Sequence, residues 1–264
     1  MYKFGFIGTG NMASALAKAV VKNINPCEII LSNRTALKAE ALAKELNCNF
    51  GTNKEVAENS KYIFLGVKPQ ALGTLAEEIK PYLESRQDRF VLISMAAGRS
   101  TKDIENLFGN YPVIRIMPNV PAEVCEGMTL CTKNEKVTDD EYQDFFNAMS
   151  KSGKLDDIPE KLIDAAMAVS GCGPAFVFEV IEALVDGAVS IGVPRDKAYL
   201  YAAQTLLGSA KLMLETGKNP SVLKDSVCSP GGTTIQGVRK LEEGGLRSCM
   251  LEAVVASYEK AKNM

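Results

Sequence analysis

The sequence contains no histidine. That absence removes Ser-His-Asp and Cys-His arrangements and all imidazole acid/base chemistry at once. Any catalysis must use Lys, Asp/Glu, Tyr, Ser/Thr or a cofactor. Close cysteine pairs are lacking too. The seven cysteines, at 27, 48, 125, 131, 172, 228 and 249, form no CxxC. Without histidine or such a pair, no metal site is expected. An odd cysteine count in a chain of 264 residues reads as free thiols in a reducing compartment. There is little charge excess: 30 Lys+Arg against 32 Asp+Glu gives a net charge of −2. Nothing in that balance calls for nucleic acid or an anionic membrane as partner. The opening "MYKFGFIGTG" lacks the basic start and apolar core of a signal peptide. No window is read as approaching the roughly 18 apolar residues of a spanning helix. The expectation is a soluble, cytoplasmic protein.

Apolar residues make up 46% and charged residues 23%, enough for a sizeable core. The first half alternates short β-rich runs with helical ones. Strands are expected at Lys3–Ile7, Glu28–Ser32, Tyr62–Val67, Phe90–Ser94 and Val113–Met117. Helices are expected at Asn11–Lys22, Ala36–Leu46, Gln70–Leu83 and Lys102–Phe108. That alternation argues an α/β fold with a parallel, doubly wound sheet. Gly127–Thr132 and Lys154–Ile158 read as late strands flanking a helix at Asp139–Ser150. Beyond about residue 160 the β signal stops. Six helices follow, at Leu162–Val169, Pro174–Ile191, Arg195–Leu214, Ser221–Val227, Thr234–Glu243 and Leu246–Ala261, broken by glycine and proline. The chain therefore divides into an α/β domain over 1–158 and an all-α domain over 159–264. In the helix from Pro174, residues Phe176, Phe178, Val180, Ile181, Leu184, Val185, Ala188 and Val189 cover most of the circumference. A helix this apolar needs cover on several sides, so a dimer interface is inferred.

"FGFIGTGNMASALAKAV" follows a strand and opens a helix, with Gly8, Gly10 and Ala13 fitting G-x-G-x-x-[GA]. The first glycine permits the tight turn, the second lets backbone approach a pyrophosphate, and the helix N-terminus faces its charge. The second strand ends "ILSNR". An NAD site usually has Asp or Glu there for the ribose hydroxyls. Ser32, Asn33 and Arg34 suit a 2′-phosphate better, so NADPH is expected, with NADH as the alternative. "GVKP" at 66–69, "MAAG" at 95–98 and "MPNVPAEVCEG" at 117–127 close further strands and read as the lining of a nicotinamide channel.

"SPGGTT" at 229–234 places two glycines and three hydroxyls between helices. Gly231 and Gly232 free the backbone, and the next helix offers unpaired N–H groups to a small carboxylate. The same stretch also reads as a plain N-capped helix after a glycine hinge. "SGCGPAF" at 170–176 is a second kink, read equally as close packing or substrate contact. Glu160 is a candidate partner for a cationic nitrogen, or a solvated acid at a helix start.

These stretches, with "DSVCSPGGTTIQG" the most specific, resemble the pyrroline-5-carboxylate reductase family over essentially the whole chain. The resemblance implies a Rossmann-type domain followed by an all-α dimerisation domain that interlocks with its twin, with decamers in some members. It implies reduction of 1-pyrroline-5-carboxylate to L-proline. Position by position, Ile7, Gly8, Thr9, Gly10, Asn11, Met12, Ser32, Arg34, Asn53, Gly66, Val67, Lys68, Pro69, Met95, Ala96 and Ala97 match cofactor contacts. Glu160, Ser229, Gly232, Thr233 and Thr234 match substrate contacts, and Thr234 is the expected catalytic hydroxyl beside the ring nitrogen. Ser226 departs from the asparagine of some members. Two rivals remain at this point. A β-hydroxyacid dehydrogenase-like enzyme would use Lys161, though that family's glycine-serine surroundings are absent. A non-catalytic NADP-responsive protein would bind cofactor without turnover.

Overall fold

The computed structural model describes residues 1–262, in two compact units. The first comprises residues 1–172 with the segment from Tyr258; the second is Gly173–Ser257. In the first unit, β1 (Tyr2–Ile7), α1 (Asn11–Val20), β2 (Ile29–Ser32), α2 (Ala36–Leu46), β3 (Asn49–Phe50), α3 (Asn53–Asn59) and β4 (Ser60–Leu65) succeed one another. Then come α4 (Leu72–Glu84), β5 (Val91–Ser94), α5 (Thr101–Phe108), β6 (Val113–Met117), β7 (Gly127–Lys133), α6 (Asp139–Met149), β8 (Gly153–Asp157) and α7 (Ile163–Ser170).

The eight strands form one sheet in the order β3-β2-β1-β4-β5-β6-β7-β8. Every neighbouring pair is parallel except β6–β7. A parallel return needs a crossover of about a dozen residues or more. Between β6 and β7 the chain has only a short 3₁₀ turn at Val120–Val124, so it must come back antiparallel. The doubly wound parallel sheet expected is thus present, with one antiparallel pair at β6–β7. Side chains alternate across the sheet. Phe4, Phe6, Tyr62 and Phe64 face one way into a core with Leu16, Val20 and Phe145. Ile7, Ile63 and Leu65 face the other, onto α3, α4 and α5. Phe6 and Phe64 stack at 4.2 Å between ring centroids, and Phe4 on Tyr62 at 4.9 Å, which zips β1 to β4. The inner face of α1 is mostly alanine (Ala13, Ala15, Ala17, Ala19), and those small residues let the helix lie close on the sheet.

The second unit holds α8 (Gly173–Ser190), α9 (Arg195–Thr216), α10 (Pro220–Ser226), α11 (Thr233–Glu243) and most of α12 (Leu246–Lys262). Its own buried cluster is small: Val185, Ala198 and Ala202, with Ile181, Ala188, Val189 and Val193 partly covered. Large apolar side chains stand outside it. Phe178 is 61% exposed, Leu200 61%, Leu207 55% and Leu251 59%. These helices do not cover one another's apolar faces, as expected of a surface that a second chain completes.

One expectation is overturned. Glu160–Ser190 is a helical run long and apolar enough to cross a membrane by length and composition, with mean hydropathy 1.6. Gly171 and Cys172 form the turn between α7 and α8, while Gly173 and Pro174 already belong to α8. No charge falls between Asp164 and Glu179. The division at 158/159 also meets a different grouping by contacts. Helix α7 packs on β7 through Ile163, Met167 and Leu130, so it goes with the first unit.

Candidate active site

The carboxyl ends of β1, β2 and β4 are stitched together. Gly8 N–H donates to Ser32 O at 2.8 Å, and Gly66 N–H to Ile7 O at 2.8 Å. Gly8 has φ +97°, and a Cβ there would meet Gly66 O at 2.5 Å. Gly10 then caps α1 with extended backbone and no side-chain hydrogen bond, and a Cβ on it would face open space. The N–H groups of α1's first turn thus have no partner within the helix. The Thr9 hydroxyl is buried without a partner. An open cradle, unclaimed donors and an orphaned hydroxyl at a helix N-terminus fit a diphosphate.

A cavity of about 820 Å³ continues from this turn. Of the expected cofactor residues, Ile7, Gly8, Thr9, Gly10, Arg34, Asn53, Gly66, Val67 and Lys68 line it. Lys38, on the first turn of α2, lines it as well, adding to Arg34 and Lys68 a third cation that the sequence reading missed. Ser32 does not. It is 1% exposed, and its hydroxyl donates to Asn53 Oδ1 at 2.8 Å, with Phe6 O at 3.2 Å. Asn33 lines the cavity too, and its side chain also ties the loop together. Its Oδ1 accepts Thr9 N–H at 3.2 Å and its Nδ2 donates to Thr35 O. Asn11, Met12 and Pro69 lie outside the lining, the first two beginning α1 and the third opening the 3₁₀ turn Pro69–Ala71.

The other two loops expected along the channel do not line this cavity. Ala96 is buried among α3, α4 and α5, while Met95 and Ala97 pack against neighbouring apolar clusters. In the 117–127 loop, Asn119 acts as a brace. Its Nδ2 donates to Ser170 O and its Oδ1 accepts Met128 N–H, each at 2.8 Å.

Glu160 is not a solvated acid. Its carboxylate accepts Thr101 N–H at 2.7 Å and the Thr101 hydroxyl at 3.0 Å, capping α5. Arg115 lies 3.6 Å away and pairs with Asp164 at 2.6 Å. Arg115 is 3% exposed in the middle of β6, and sequence reasoning missed it. The available signal was a lone arginine inside the apolar run "VIRIM".

In the second unit, α10 ends in a turn whose Gly231 has φ +71°. Gly232 N–H donates to Ser229 O at 3.0 Å. Gly232 caps α11 at φ −73°, ψ 172°, without a side-chain hydrogen bond, matching Gly10 at −72° and 172°. The cap is thus the glycine itself, and neither Thr233 nor Thr234 spends its hydroxyl on capping. Both are exposed, as is Ser229. A Cβ on Gly232 would collide with the Ser229 hydroxyl. The departure Ser226 turns its hydroxyl onto Leu223 O, inside its own helix.

A nucleotide cavity with a bare helix N-terminus and three cations, and a second bare N-terminus set among hydroxyls, define the class. This is a dinucleotide-dependent oxidoreductase for a small anionic substrate. Residues 3–98 match the family model described as NADP oxidoreductase coenzyme F420-dependent, and residues 160–264 match pyrroline-5-carboxylate reductase dimerisation. The chain is 40% identical to the pyrroline-5-carboxylate reductase of Escherichia coli over 266 residues, covering 99% of this chain and 98% of that one. It is 37% identical to the Arabidopsis thaliana enzyme, covering 100% and 95%. A Coxiella burnetii pyrroline-5-carboxylate reductase structure superposes with TM-score 0.90 at 33% identity, covering 99% and 98%. A Plasmodium falciparum pyrroline carboxylate reductase structure with NADP bound gives 0.88 at 32%, covering 99% and 97%. The chain belongs to the pyrroline-5-carboxylate reductase family.

Proposed function

We propose that the chain reduces 1-pyrroline-5-carboxylate to L-proline, the last step of proline biosynthesis, with NADPH as donor and NADH as alternative. The observation that carries the reading is the Gly232 cap, which leaves N–H groups and the Thr233 and Thr234 hydroxyls unclaimed beside Ser229. When bound, the reduced nicotinamide supplies a hydride to the C=N carbon.

The chain's residues do the rest. Ser229, Gly232 and Thr233 hold the substrate carboxylate through hydroxyls and α11 N–H groups. Thr234 hydrogen-bonds the ring nitrogen and relays the proton that completes the amine. Glu160 favours the protonated imine through its charge. The Gly8–Gly10 turn and first turn of α1 hold the diphosphate, Arg34 and Lys38 take the 2′-phosphate, and Ser32 acts through Asn53. Gly66–Pro69, with Met95–Ala97, shape the nicotinamide end. Holding the two reactants in register supplies most of the rate.

Residues 159–264 form the dimerisation domain. The exposed apolar helices support a homodimer as the minimal unit, with a homodecamer as a further assembly. We assign the apolar Glu160–Ser190 run to subunit contact rather than to a bilayer, and place the protein in the cytoplasm, with no nucleic-acid partner. Thr234→Ala tests the chemistry. Loss of a positioned proton donor costs about 10²-fold or more. We expect that drop in kcat/KM with cofactor binding kept; an unchanged kcat/KM removes the hydroxyl from the transition state.

A further inference from the structure

The end of β2 carries no acid, yet the structure delivers one there from another element. Ser32, the last residue of β2, donates to Asn53 Oδ1 at 2.8 Å. That fixes the Asn53 amide with Nδ2 as its outward donor. Nδ2 in turn donates to Glu78 on α4, 3.0 Å from both carboxylate oxygens. Glu78 and Asn53 line the same cavity as Gly8–Gly10, Arg34 and Lys38. Glu78 is exposed, and among the described residues no lysine or arginine pairs with it. A carboxylate has about four acceptor sites, and Asn53 occupies only part of that capacity.

We infer that Glu78 is the ribose-hydroxyl acceptor of this cavity, and that it lets the site take a dinucleotide without a 2′-phosphate. The inference rests on the nucleotide reading of the cavity given above. The acid that an NAD site carries at its second strand is here supplied from α4, anchored through Asn53 to Ser32. A 2′-phosphate would instead be drawn to Arg34 and Lys38 and repelled by Glu78. The cavity thus holds both sets of determinants, and Glu78 sets the balance between the two cofactors.

The test is Glu78→Gln, which keeps an acceptor for Asn53 and removes the charge. Kd for NAD+ and for NADP+ is read by calorimetry, beside kcat/KM with each reduced form. Loss of a charge-assisted hydrogen bond predicts about tenfold weaker NAD+ binding. NADP+ binding should be unchanged or tighter. Equal weakening of both would mean that Glu78 only braces Asn53, and no change in either would remove it from recognition; both results overturn the inference. Wild-type protein that binds NADP+ but not NAD+ overturns it alone. Wild-type protein that binds neither overturns the nucleotide reading of the cavity and the inference with it.

Discussion

Gly8 and Gly10 sit two residues apart in one motif but do different work. Gly10 faces open space; Gly8 serves the backbone. Its positive φ costs a side chain about 1–2 kcal/mol, and a Cβ would press on Gly66 O as well. Gly8→Ala should lower Tm by several degrees, at about 2–4 °C per kcal/mol for a chain of this size, and should also weaken NADP+ binding. An alanine variant with wild-type Tm and Kd would show that the turn is not held as described. At this scale the sequence exposed whatever lies within one motif: the glycines of both turns, Arg34, and the Ser229–Thr234 stretch. It hid residues that reach a site from elsewhere. Lys38 and Glu78 sit on helix faces that look like ordinary solvated charge, and only tertiary folding places them in the cavity. It also could not show that Ser32 turns its hydroxyl onto Asn53, because composition cannot say which way a hydroxyl turns.

Helix α5 shows how one element is fixed at both ends. Its N-terminus carries a Ser100/Asp103 capping box and the Glu160 carboxylate. Further along, Glu105 accepts from Lys136, Lys102 and Asn134, tying the helix to the turn after β7. The Lys136 and Lys102 contacts hold the Glu105 carboxyl down at about 2, although burial opposes them. A carboxyl depressed in the folded state contributes stability above its unfolded pKa of about 4.3, lost as pH falls towards the folded value. Glu105→Gln should therefore lower Tm at pH 7 and lose that deficit between about pH 4 and pH 2. A Tm difference that stays constant across that window would contradict the assignment.

Most elements were legible because their hydrophobic periods are clean; Ala36–Leu46 and Val113–Met117 fall where periodicity puts them. β3 and α3 were missed. A two-residue strand has no period, and "NKEVAEN" is polar apart from Val56 and Ala57. Its Thr52/Glu55 capping box was nonetheless a readable start signal. The antiparallel turn into β7 was legible only as the absence of a crossover helix.

For the whole molecule, the two units are stabilised differently. The first buries two dense faces of its sheet, whereas the second buries little of its own apolar surface. A helical unit that keeps Phe178, Leu200 and Leu207 exposed is incomplete as a monomer, which agrees with its match to a dimerisation family model. Everything at this scale serves one event, the movement of a hydride from reduced nicotinamide to a cyclic imine bearing a carboxylate. The direct test supplies 1-pyrroline-5-carboxylate and NADPH deuterated at the transferable position, and examines the product by NMR. The expected product is proline carrying a single deuterium on the ring carbon that is bonded to nitrogen and remote from the carboxylate. Cofactor oxidation without labelled proline, or no turnover of the imine by folded protein, would contradict it.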